Sequence, residues 1–203
     1  MPRRKFDLNI EEILEDWDIH HGIREVIANA IDEQILTQSQ DVEIFKDRHG
    51  DWHIRDFGRG IRYQHFTQNE DNEKLENDQV IGKFGIGLKD ALATFDRRNV
   101  EVLIKSKFGD ITLGKSTKHA FEDITTLHAI ISEPSEPGIV GTDFILKGVE
   151  DSYIEKAKDL FLKFSGEPVI EKTKFGSVLS KKKRNWKNIL KRRKGCRRRE
   201  LSI

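Results

Sequence analysis

The stretch Arg-Glu-Val-Ile-Ala-Asn-Ala-Ile-Asp at residues 24–32 is the segment that decides the fold. Its apolar residues recur three and four positions apart, which predicts an amphipathic helix over about 19–37. Glu25 and Asn29 are four residues apart and share one face of this helix, and Asp32 lies one turn further along. The carboxylate can accept a proton from water, and the amide oxygen can coordinate Mg²⁺. For this segment alone, a helix whose polar face meets solvent is the simpler interpretation.

A first glycine-rich segment, Asp-Phe-Gly-Arg-Gly-Ile at residues 56–61, follows a predicted strand. A carboxylate buried at a strand end needs a hydrogen-bond donor, which an adenine amino group would supply. The glycines leave room for a flat ring beside it. Taken alone, the segment also fits a tight turn in which Asp56 bonds to the following backbone.

A second glycine-rich segment, Gly-Lys-Phe-Gly-Ile-Gly-Leu at residues 82–88, precedes another helical pattern. Glycines let backbone N–H groups approach an anion, and the start of a helix adds partial positive charge. The segment lacks the Gly-Lys-Ser/Thr ending of a Walker loop. Its glycine order is also the reverse of the Rossmann fingerprint. These features indicate a phosphate-binding loop of another type.

The remaining pattern predicts an α+β fold, because the helical segments are followed by a run of adjacent strands. Asp18 is the predicted N-cap of the central helix, and a short helix is predicted over residues 7–16. Further predicted elements are strands at 42–45, 52–57, 100–106, 110–114, about 124–132 and 142–149, and a helix at 150–164.

Composition limits the class of protein. The 203 residues suit one domain with a sizeable core, and the single cysteine, Cys196, precludes an internal disulfide. No apolar run predicts a signal peptide or a membrane span, so we expect a cytoplasmic protein, or a nuclear one in a eukaryote. Residues 181–203 hold 12 of the 36 basic residues and one of the 35 acidic ones, so residues 1–180 carry a net charge of −10.

Together, the motifs Glu-x-x-x-Asn-x-x-Asp, Asp-x-Gly-x-Gly, Gly-x-Phe-Gly-x-Gly and a later Gly-Thr occur in order. In this combination the sequence resembles the GHKL ATPase superfamily, which includes gyrase B, the ninety-kilodalton heat-shock chaperones, histidine kinases, MutL and MORC proteins. The resemblance covers roughly residues 8–165 and is nearest the chaperone, MutL and MORC group. It implies the Bergerat fold, a two-layer α/β sandwich whose mixed, mostly antiparallel sheet has helices on one face.

The resemblance also implies a role for each motif residue, with ATP and Mg²⁺ as the ligands. Glu25 would be the general base, Asn29 would bind Mg²⁺, and Asp32 would lie near the nucleotide. Asp56 would accept a hydrogen bond from the adenine amino group, and the hydroxyl of Thr142 would support it. The other expected nucleotide-binding residues are Gly58, Gly60, Ile61, Gly82, Lys83, Phe84, Gly85, Ile86, Gly87 and Leu88.

The same resemblance frames the expected function. We expect residues 1–165 to form an ATP-binding domain with weak Mg²⁺-dependent hydrolysis, and residues 62–81 to form a lid. ATPases of this group carry a following transducer domain whose lysine contacts the γ-phosphate, and the chain ends about where it would begin. Open alternatives are a module that senses ATP or ADP without hydrolysis, an ATP-dependent homodimer, and a switch acting on a protein client.

The basic segment at residues 166–203 is expected to be an unstructured tail. Its lysine and arginine runs favour phosphate backbones, which makes a nucleic-acid-binding protein a further alternative. A solvated chain end explains the same composition. A third hypothesis is that the sequence after about Ser180 is a frameshifted remnant of a longer ancestor, which reading the gene's other frame would test.

Overall fold

The computed structural model describes residues 3–8, 16–66, 76–77, 80–82, 87–118, 121–164, 166, 169–173 and 176–179. The chain divides into two compact units, Met1–Leu160 and Phe161–Ile203. Among the described residues, no helix combines the length and the apolar character that a membrane crossing requires.

The described residues of the first unit form one seven-stranded sheet and three α-helices. The elements are β1 (Arg4–Asp7), α1 (Ile19–Thr37), β2 (Glu43–Lys46), β3 (Trp52–Arg55), a 3₁₀ turn (Tyr63–Phe66), α2 (Gly87–Arg97), β4 (Glu101–Ser106), β5 (Gly109–Lys118), β6 (Phe121–Ser132), β7 (Thr142–Lys147) and α3 (Asp151–Lys158). The strands occur in the order β1-β6-β5-β4-β7-β3-β2, and every neighbouring pair is antiparallel. The predicted α+β class and α/β sandwich are therefore confirmed, with a sheet that is antiparallel rather than mixed.

Helix α1 begins and ends as the sequence predicts. The side chain of Asp18 accepts from the N–H of Ile19 at 2.9 Å. The N–H of Asp18 donates in turn to Nδ1 of His21 at 3.0 Å. This reciprocal cap satisfies N–H groups that a helix start leaves without partners. The buried face of α1, with Ile23, Val26 and Ile27 inaccessible to solvent, fixes which way its polar residues point.

The two faces of the sheet differ sharply, because side chains alternate along each strand. Ile54, Phe144 and Ile104 lie side by side in the register of β3, β7 and β4, and all are buried in the core. The opposite face carries polar pairs such as His53 and Asp143, whose Nδ1 and Oδ2 atoms lie 2.9 Å apart. The apolar face is therefore the one that the helices cover, with α1 against β3 and α2 against β4.

Two predicted helices need correction, and the predicted lid at residues 62–81 is described only in part. Asp7 belongs to strand β1 rather than to a helix over 7–16, of which residues 9–15 lie outside the described part. The helix predicted over 150–164 ends at Lys158, and a separate 3₁₀ turn follows. Tyr63–Phe66, at the start of the predicted lid, forms a 3₁₀ turn, while residues 67–75 and 78–79 lie outside the description.

The second unit contains a short 3₁₀ turn, Leu162–Phe164, and a two-stranded antiparallel sheet of β8 (Val169–Thr173) and β9 (Gly176–Leu179). The expectation of an unstructured tail from residue 166 is therefore wrong for this hairpin. The basic residues from 180 onward lie outside the described residues.

Candidate functional site

The carboxylate of Glu25 lies against the first residue of α2. A Cβ built on Gly87 would lie 3.0 Å from Cδ of Glu25 and would overlap Oε2. The other carboxylate oxygen pairs with Nη1 of Arg24, and the Glu25 side chain is only 12% exposed. The absence of a side chain at Gly87 is thus what admits the carboxylate to the N-terminal end of α2.

The Asn29 side chain lies one turn further along the same face of α1. Its Nδ2 donates to the carbonyl oxygen of Glu25 at 3.0 Å. Its Oδ1 faces Gly82, 3.8 Å from the position of a Cβ on that residue. The hydrogen bond fixes the amide so that its oxygen, the atom suited to Mg²⁺, faces the glycine segment.

Asp32 is fully buried and anchors the start of the second glycine segment. Its two carboxylate oxygens accept from the N–H groups of Ile81 at 2.6 Å and Gly82 at 2.8 Å. Both bonds go to backbone, so the described role of this carboxylate is to hold the loop against α1. The next four residues of the segment, Lys83, Phe84, Gly85 and Ile86, lie outside the described residues, while Leu88 is buried in α2.

Asp56 follows strand β3 and is 5% exposed. Its Oδ1 accepts from the N–H of Gly58 at 2.9 Å and of Thr142 at 3.3 Å. The hydroxyl of Thr142 accepts from the N–H of Ile61 at 3.0 Å. One end of β7 therefore ties Asp56 to the loop that follows it, which brings together residues that the sequence separates by more than 80 positions.

Gly141 makes this junction sterically feasible. Its φ of +79° is unfavourable for other residues, and a Cβ there would overlap the carbonyl oxygen of Asp56 and lie 2.7 Å from Cα of Phe57. Gly60, with a φ of +84°, also lies close to this junction, since a Cβ there would be 3.0 Å from the Gly141 carbonyl oxygen. In the Gly-Thr pair, Gly141 thus allows the close approach of the Asp56 backbone, and Thr142 supplies the hydroxyl.

The Asp56 carboxyl has an unusual acidity. Its pKa is raised from 3.8 to about 6 in total. Burial is the largest cause and the negative charge of Glu33 adds to it, while hydrogen bonds from Gly58 and Thr142 act in the opposite direction. A raised pKa indicates that burial of the carboxylate is not fully compensated by its hydrogen bonds. Such groups are common at functional sites.

The raised pKa predicts how stability depends on pH. The folded protein holds the Asp56 proton more tightly than the unfolded chain, so this group's stabilisation is complete below 3.8 and is lost as the pH rises to about 6. Relative to Asp56→Asn, whose side chain does not titrate, the wild type should lose up to about 3 kcal/mol of unfolding free energy across this interval. Urea unfolding at a series of pH values measures the difference.

A matched control for this prediction is Asp151→Asn. The ammonium of Lys46 lowers the pKa of the exposed Asp151 carboxyl by hydrogen bonding. Its stabilisation is therefore present above its ordinary pKa and is lost as the pH falls, the opposite sign to Asp56. A difference between Asp56→Asn and wild type that stays constant with pH would contradict the assignment.

Glu33 and Arg59 form a clamp that the sequence motifs do not indicate. The Nε and Nη2 atoms of Arg59 each donate to a different Glu33 oxygen at 2.9 Å, and the Arg59 N–H donates at 2.8 Å. Burial raises the pKa of the Glu33 carboxyl, but these bonds outweigh it and hold that pKa below its usual value. The clamp joins α1 to the loop that follows Asp56. Helix α1 therefore positions both glycine-rich segments, because Asp32 holds the second one.

Asp90 is a second acidic group that the motif pattern did not indicate. It lies in the first turn of α2, where burial and the nearby charge of Glu25 raise the pKa of its carboxyl. Its buried Oδ1 has no hydrogen-bond partner among the residues that the structure describes. The two carboxyl groups at the start of α2 therefore lie close enough for the charge of Glu25 to affect Asp90.

Comparison with known proteins identifies a relative that covers most of this chain. No family model matches the chain. An "Uncharacterized protein" of Mycoplasma pneumoniae is 40% identical over 179 residues, covering 86% of this chain and 72% of that protein. This similarity spans most of both proteins, and the chain therefore belongs to the same family as the Mycoplasma pneumoniae protein.

Proposed function

We propose that this protein binds ATP together with Mg²⁺ and hydrolyses it weakly, as the motif resemblance implies. The observation that carries the proposal is the packing of the Glu25 carboxylate against Gly87, where a glycine segment enters α2. In support, Asp56 and Thr142 form a buried polar site at the end of the sheet. The second glycine-rich segment therefore contacts α1 through Glu25 and Asp32. The first contacts α1 through the Glu33–Arg59 clamp.

The base would bind at Asp56. An adenine amino group donating to this carboxylate would compensate the burial that raises its pKa, and it would stabilise the ionised form. Gly60 and Ile61 would line the ring, and Gly58 would keep the loop close to Glu33. Guanine has a carbonyl oxygen at the corresponding position, which would face the carboxylate without a hydrogen.

The phosphates would extend toward the start of α2. Helix N–H groups there attract anions, and Asp32 fixes the segment that leads to them. Asn29 would hold Mg²⁺ through its amide oxygen, which already faces Gly82. The metal would neutralise charge on the phosphate oxygens as the terminal group leaves.

Glu25 would act on the attacking water. Its Oε2 lies at Gly87, while Arg24 holds Oε1. Accepting the water proton lets the oxygen bond to the γ-phosphorus as the bond to the β–γ bridging oxygen breaks, giving ADP and phosphate.

Asp32 would transmit changes at the phosphates to residues 81–82, the end of the predicted lid, which supports a nucleotide-driven switch. Homodimerisation, nucleic-acid binding and a protein client stay predictions.

Calorimetric titration with a non-hydrolysable ATP analogue tests the proposal. We expect saturable one-to-one binding that strengthens with Mg²⁺ and is at least about 100-fold weaker for the guanine analogue, because an acceptor would then face Asp56. Equal affinities for the two bases would contradict the role of Asp56. No heat at millimolar analogue would contradict nucleotide binding altogether.

A further inference from the structure

A cavity of about 380 Å³ is lined in part by Ile61, whose N–H donates to Thr142 of the Asp56 site. Ile111 and Ile131, paired across β5 and β6, contribute to its apolar lining, and Phe108 and Tyr63 contribute aromatic side chains. Those two aromatic residues are 40% and 46% exposed. A concave site with an apolar lining and a few polar groups is the usual form of a small-molecule pocket.

The charged groups that line the cavity are mostly cationic. Arg4 comes from β1 and Arg62 from the loop after β3, and neither guanidinium pairs with a carboxylate among the described residues. The guanidinium carbon of Arg62 lies 4.1 Å from the centre of the Phe108 ring, and Nζ of Lys107 lies 5.1 Å from it. This positive patch stands out because residues 1–180 carry a net charge of −10.

Two walls of the cavity are fixed by one buried hydroxyl. Oγ of Ser106 donates to the carbonyl oxygen of Ile61 at 2.7 Å and accepts from the N–H of Phe108 at 3.1 Å. Ser106 is fully buried. The bond to its N–H holds the Phe108 backbone in place, and the Arg62 guanidinium lies over the ring of that residue. A guanidinium presents its N–H groups in one plane, which matches the geometry of a planar anion.

We propose that this cavity binds a small aromatic carboxylate, with its flat ring against Phe108, Tyr63 and Ile61 and its carboxylate between Arg4 and Arg62. A guanidinium pairs with a carboxylate through two parallel hydrogen bonds. Glu133 also lines the cavity, so a monoanion is favoured over a dianionic phosphate. The cavity shares Ile61 with the proposed adenine site, but Arg4, Arg62 and Phe108 belong to none of the ATP motifs.

Titration of the full chain with 2-naphthoate tests the site without any nucleotide, so the result is independent of the ATP proposal. We expect saturable binding with methyl shifts at Ile61, Ile111 and Ile131 in NMR spectra. Neutral 2-naphthamide should bind about tenfold more weakly or worse, because it lacks the charge that two guanidinium groups recognise. 2-Naphthyl phosphate should also bind more weakly than the carboxylate.

Substitutions locate the interaction. Arg4→Gln and Arg62→Gln should each weaken 2-naphthoate binding by about tenfold, whereas Arg3→Gln, the same change at an exposed neighbour that does not line the cavity, should not. Phe108→Ala should weaken the binding of both naphthalene ligands. The proposal is overturned by equal affinity for 2-naphthoate and 2-naphthamide, by tighter phosphate binding, by shifts elsewhere in the protein, or by equal effects of Arg3→Gln and Arg62→Gln.

Discussion

Asp56→Asn should lower ATP affinity by about 100-fold or more while leaving the fold intact. The asparagine oxygen can still accept from Gly58 and Thr142, as Oδ1 of Asp56 does now. Its amide nitrogen would then replace the second carboxylate oxygen and face the adenine amino group, so that two donors oppose each other in a buried place. Leaving such groups unpaired is costly.

Calorimetry with the ATP analogue measures this loss, and circular dichroism checks the fold. Asp151→Asn makes the same chemical change on the exposed side chain that pairs with Lys46, so it should bind ATP as the wild type does. If Asp56→Asn binds with unchanged affinity, the base is held elsewhere and the resemblance misassigns this carboxylate.

The parts of the fold that the sequence predicts well are those set by local pattern. Helix α1 has a capping residue at Asp18 and an unbroken apolar periodicity, and both its ends lie where expected. Strand β1 had no such signal: its four residues, Arg4–Asp7, pair with residues 128–131 of β6. A short charged edge strand depends on a partner more than 120 positions away, so its own residues do not reveal it.

The candidate site divides in the same way. The shared face of Glu25 and Asn29 follows from helix geometry, and the need for a donor at Asp56 follows from burial at a strand end. The Glu33–Arg59 clamp and the approach of Asp90 to Glu25 depend on how the helices and the loop pack. Asp32 shows an intermediate case, because its position was predicted but its bonds to Ile81 and Gly82 were not.

Glu25→Gln should abolish most ATP turnover while retaining ATP binding. Glutamine has nearly the same shape, so it can still occupy the space left by Gly87, but it cannot accept the proton of the attacking water. General bases contribute about 10²- to 10⁴-fold to rate, and we expect a loss within that range. Single-turnover phosphate release measures the chemical step, and calorimetry measures binding.

Glu43→Gln, on the exposed side of β2, is the matched control and should change neither. Retained turnover in Glu25→Gln would assign the base to another group, whereas loss of binding and turnover together would make Glu25 a structural support of the α1–α2 contact.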